Sequence, residues 1–209
     1  MTLSWPPATW PPATGDGGPA RVVGVDTGSR QLPEADAVAA TVVALLAEQD
    51  ASQDAVVATH LTRLGDLPHV TLSVHAPGLA VDRLARLLAE ALPDSVVSSD
   101  VHPAPLDAAA AGARAHATRT GGRAVHYPGC ERLVGAVTVD DLLAGSAITA
   151  VRVLGSADAP AGDTVVRTRD HVRPTYDGGQ LVLAAEWAVG RTLVPFENPQ
   201  PTPCCADHA

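Results

Sequence analysis

Hydrophobic positions change their spacing along this chain, and the spacing predicts the elements. Arg21-Val-Val-Gly-Val25 reads as a short strand. Pro33-Glu34 opens a stretch with Val38, Val42, Leu45 and Leu46 on one side, the pattern of an amphipathic helix. Ala55-Val-Val-Ala58, continuing to His60 and Leu61, reads as a second strand, and Gly65-Asp-Leu-Pro68 supplies turn chemistry. From His69 to His75 apolar and polar residues alternate strictly, as in a strand with one buried face. Pro77-Gly78 ends it. A second amphipathic helix runs from Leu79 to Leu92, with Leu84, Leu87, Leu88 and Leu92 inward, and Val96 to His102 is a fourth strand. The order βαββαβ predicts a ferredoxin-like α+β domain over residues 20–104, both helices on one face of an antiparallel sheet and the other face open.

Pro103-Ala-Pro105 marks a boundary. Leu106 to Arg119 reads as an Ala-rich helix, closed by Thr120-Gly-Gly122. Short strands then dominate: Val125–Tyr127, Ile148–Leu154, Thr164–Val172, Leu181–Trp187 and Thr192–Phe196. Thr138 suits the N-cap of a short helix over residues 139–144, where Asp140 and Asp141 meet the positive end of the helix dipole. Asp177-Gly178-Gly179 signals a hairpin. Residues 105–198 are thus expected to form a linking helix and a small, mostly β domain.

The ends differ in composition. Trp-Pro-Pro-Ala-Thr occurs twice in tandem over residues 5–14, and residues 1–19 read as a Pro-rich disordered arm. Its two tryptophans make residues 5–14 a candidate docking peptide for a protein partner. Pro199, Pro201 and Pro203 lead residues 199–209 away from the β domain as a tail.

Charge narrows the function classes. The net charge is −9, with no lysine; residues 1–105 carry five arginines against twelve acidic residues. A general nucleic-acid binder needs a cationic surface to displace counterions, and this chain lacks one. No window approaches the roughly eighteen uninterrupted apolar residues of a membrane span. The first residues have neither the basic nor the apolar segment of a signal peptide, and three cysteines without an export signal predict a reduced, cytoplasmic protein.

Candidate chemistry falls in three places. In the tail, Cys204, Cys205 and His208 bring two thiols and an imidazole together, with Cys130 available if the tail folds back. Soft donors of this kind bind zinc or copper(I), or serve thiol exchange. On the open sheet face, His69 and His75 share one side of a strand with Thr71 and Ser73, while His60, Asp100 and His102 end or follow neighbouring strands. Such a cluster suits a metal or acid–base site, or else a wet surface. In Val165-Val-Arg-Thr-Arg-Asp-His-Val-Arg173, period-two geometry sets Arg167, Arg169, His171 and Arg173 on one face, a clamp for an anionic small molecule or a solvated edge strand.

These features support a small metal- or thiol-dependent protein, with metal-assisted hydrolysis the most economical reaction if it is an enzyme. Two other classes stay open. One is a non-catalytic assembly or adaptor protein that docks, or self-associates, through the polar sheet face and the Trp-Pro-Pro arm. The other is a phosphate or nucleotide sensor centred on the arginines.

Overall fold

The computed structural model describes residues 21–64, 67–99 and 108–199. The Trp-Pro-Pro arm, Asp100, His102, Cys204, Cys205 and His208 lie outside the described residues.

The first half begins with strand β1 (Val23–Asp26), helix α1 (Leu32–Glu48), strands β2 (Val56–Leu64) and β3 (Leu67–His75), helix α2 (Val81–Ala91) and strand β4 (Val96–Ser99). Pro33 sits in the first turn of α1, where its missing N–H costs nothing. The strands lie antiparallel in the order β4-β1-β3-β2. Val70, Leu72 and Val74 of β3 meet Val42 and Leu46 of α1 and Leu84 and Leu88 of α2 in one buried cluster. Full burial of each such leucine contributes about 1.5–3 kcal/mol. The inward face of α1 is turned from the predicted one: Ala35 and Ala39 join Val42 and Leu46, whereas Val38 and Leu45 are only partly covered.

Helix α3 (Ala108–Ala117) crosses the opposite face of that sheet, against β1, β2, β3 and β4. It does so because it is nearly all Ala and Gly. A Cβ on Gly24 of β1 would run into the carbonyl oxygen of Ala109, and one on Gly112 would lie 2.8 Å from Thr71 Oγ1. The face expected to be open is therefore covered. Thr71 and Ser73 are fully buried and His60 nearly so.

The second half adds β5 (Arg123–His126), β6 (Ala136–Thr138), α4 (Val139–Gly145), β7 (Ala150–Val153), β8 (Val165–Arg167), β9 (Thr175–Asp177), β10 (Gln180–Ala188) and β11 (Thr192–Pro195). Thr138 caps α4 by accepting from the Asp141 N–H at 3.0 Å. Gly178 and Gly179 take positive φ between β9 and β10, as a tight hairpin turn requires. A second buried cluster gathers Tyr127, Leu142, Ile148, Leu183 and Leu193.

The two halves are not separate domains. Strand β5 pairs with β2 on one side and with β9 on the other, so one sheet runs β4-β1-β3-β2-β5-β9-β10-β11-β8-β6, with β7 also on β10. The β7–β10 and β8–β11 pairs are parallel, which makes the sheet mixed. This corrects the expected ferredoxin-like domain followed by a small β domain: the chain is a mostly β, eleven-stranded mixed sheet with four helices. The physical reason is the edge of β2. Left alone it would expose unpaired backbone groups, and β5 covers part of it.

Candidate functional site

Cys130 follows β5 in His126-Tyr-Pro-Gly-Cys130, where the chain turns sharply. Gly129 has φ of +81°, and a Cβ there would meet the backbone of Gly145 and Ser146. Only glycine fits. The Cys130 N–H donates to the Tyr127 carbonyl at 3.0 Å, and the Ala147 N–H donates to the Pro128 carbonyl at 2.9 Å. The turn is thus clamped from within and from the end of α4.

This clamp sets the half-buried Cys130 Sγ 3.5 Å from His126 Nδ1. His126 Nε2 lies 2.7 Å from the carbonyl oxygen of Ser52, in the loop before β2. A carbonyl can only accept, so Nε2 carries the proton and donates. In the neutral ring Nδ1 is then the acceptor facing the thiol. The three groups stand in the relation of nucleophile, base and orienting group. Burial disfavours a charged His126, but its bonds to Cys130 and the Ser52 carbonyl outweigh burial and raise its pKa above the ordinary 6.5.

A second cluster lies under α3. Ser73 Oγ is 2.7 Å from His60 Nε2 and 2.7 Å from His116 Nδ1, and all three residues are buried. A serine has one proton to give, so it donates to one imidazole and accepts from the other. Tyr176 stacks near His116 at 5.4 Å between ring centroids, and His75 approaches edge-on at 6.3 Å. Burial lowers the pKa of His60 from 6.5 to about 4. Burial first, then the positive charges of His60, His75 and Arg119, depress that of His116 well below 6.5. The hydroxyl of Thr71 is buried beside them without a partner.

Of the predicted sheet-face histidines, His60 and His75 converge on His116, and His69 turns instead to Asp26 at 3.0 Å. Among the described residues no group of three or more His, Cys, Asp or Glu side chains is placed to hold a metal ion.

The predicted arginine strand is interrupted. Strand β8 ends at Arg167, and Arg169 and Asp170 adopt positive φ, so period-two geometry is lost after Arg167. Arg167 and Arg169 are exposed. His171 bonds Glu197 at 2.9 Å. Arg173 Nη1 reaches the Val172 carbonyl at 3.3 Å, and its Nε is buried without a partner. Glu197 belongs to a clasp that the sequence did not suggest. Arg123 binds both Asp36 of α1 and Glu197 after β11, each through two donors. Burial works against the charged Glu197, but its bonds to Arg123 and His171 prevail and hold its pKa below the carboxylate value. With both carboxylates engaged, this arginine ties the two halves together.

Three residues of these sites escaped the sequence reading. His126 lies four residues before Cys130 across a Pro-Gly turn, a spacing that brings the two side chains together. His116 falls on the same helical stripe as Ala109, Gly112 and Ala113, which points it at the sheet. Ser52 acts through its backbone and leaves no signal in the side-chain pattern. Comparison with protein-family models, with curated proteins and with solved structures finds no match. Among the described residues no helix is long and apolar enough to cross a membrane.

Proposed function

We propose that the chain is a thiol-dependent protein whose working group is Cys130, with His126 as its proton acceptor. The carrying observation is the Sγ–Nδ1 contact of 3.5 Å together with the Nε2–Ser52 bond of 2.7 Å, which leaves the thiol-facing nitrogen free to take a proton. Transfer of the thiol proton to Nδ1 gives a thiolate beside an imidazolium. The thiolate attacks an electrophilic carbon or sulfur, the bond to the leaving group breaks, and the imidazolium returns its proton to that group. The rigid Pro128-Gly129 turn keeps sulfur and ring in register for this step.

The test uses a chain carrying Cys204→Ser and Cys205→Ser, so that Cys130 is the single thiol. Its rate of alkylation by iodoacetamide is measured against the same chain with His126→Gln, which cannot take the proton. On the order of tenfold slower reaction at neutral pH is expected without the imidazole. His75→Gln, remote from the thiol, leaves the rate unchanged. Equal rates with and without His126 would overturn the reading.

A further inference from the structure

We propose that α3 is an acid-released cover: protons entering the His60–Ser73–His116 chain lift this helix from the β1–β3–β2 face while the rest of the sheet stays folded.

The argument starts from what holds α3 down. Its inward residues are Ala109, Gly112, Ala113 and His116, so it buries far less apolar surface than α1 or α2, which set leucines into the core. Its polar attachment is the bond from His116 Nδ1 to Ser73 Oγ, shared with His60. That attachment works only while one imidazole accepts the serine proton. Once the accepting ring is protonated, it too becomes a donor, and the hydroxyl hydrogen of Ser73 is left buried without an acceptor.

Nothing nearby offsets the new charge. The titratable and charged groups set against His116 are His60 from β2, His75 from β3, Tyr176 from β9 and Arg119 from the turn after α3. Among the described residues none of these is a carboxylate. Asp26 of β1 is engaged by His69, and Asp36 and Glu197 by Arg123. Nor can the site relax inward. The His60 ring lies against Gly112 and Gly122, where even a Cβ would come within 3.2 Å and 2.6 Å of it. Relief comes by exposing both rings to water, and α3 is the weakly held layer above them.

Hydrogen exchange of the full chain tests this, with amides of α3 read against those of β10 at about pH 7.5 and about pH 5. For His60 alone, the ordinary value of 6.5 and the value of about 4 under α3 give about thirtyfold more opening at pH 5. Protection of α3 is expected to fall at least that much, with β10 unchanged. A His60→Gln/His116→Gln chain, which cannot charge, should lose this pH dependence. Constant α3 protection, or simultaneous loss of α3 and β10, would overturn the proposal. If the double variant fails to fold, ring resonances of the unaltered chain decide. Histidines that charge together with α3 exchange support the cover, and histidines that charge while α3 stays protected refute it.

Discussion

Two histidine sites in this protein use the same side chain to opposite ends. His126 faces a thiol and donates to a carbonyl, and both partners welcome a positive ring: the thiol can become an anion, and the carbonyl accepts a stronger donor. Its pKa is raised. His60 and His116 share a serine hydroxyl that stays neutral, inside a layer of alanine, glycine and other cationic groups. Theirs are lowered. The difference lies in whether a partner can carry the compensating charge. Burial alone does not decide it, because burial disfavours the charged ring at both sites.

The largest effect that sharpens this comparison is on acid stability. Unfolded, His60 binds a proton near pH 6.5; folded, it resists until about pH 4. The unfolded state therefore holds more protons throughout that interval. Stability is intact above pH 6.5 and falls as pH drops toward 4, by about 3 kcal/mol for this one residue. Urea unfolding across the interval should show the fall, and His60→Gln should flatten it. Next in size, Ser73→Ala leaves two buried imidazole nitrogens without their shared partner and should cost about 2–3 kcal/mol. The matching change at the other site is the smallest. Cys130→Ser keeps a polar group at a half-buried position and should cost under about 1 kcal/mol by the same measurement, while abolishing alkylation. Similar losses from the two substitutions would dissolve the distinction between a structural hydroxyl and a functional thiol.

Local order was legible in the sequence and long-range order was not. Strict alternation in His69–His75 correctly separated Val70, Leu72 and Val74 from Thr71, Ser73 and His75, and leucine spacing located α2. The polar side of that strand resembled a solvated surface because histidine, serine and threonine suit water as well as a satisfied interior. Only the tertiary approach of an Ala-rich helix distinguishes the two. The signal for that approach was present in Gly24, Gly112 and the run Ala108–Ala110, whose small side chains allow backbone to meet backbone. The continuity of the sheet was hidden for a similar reason. Strand β5 is four residues long, and its pairing with both β2 and β9 follows from no local pattern. Arg169 and Asp170 fit an alternating strand by residue type, yet they turn the chain and scatter the arginines. Cys130 was read as a spare ligand because attention to thiol spacing passed over the imidazole four residues earlier.

The most direct test is a proton NMR titration of the histidine rings in the unaltered chain and in Cys130→Ser. The account predicts a His126 midpoint above 6.5 that moves down when the thiol is removed, and a His60 midpoint near 4 that does not move. A His126 midpoint indifferent to Cys130, or His60 and His126 titrating together near 6.5, would contradict it.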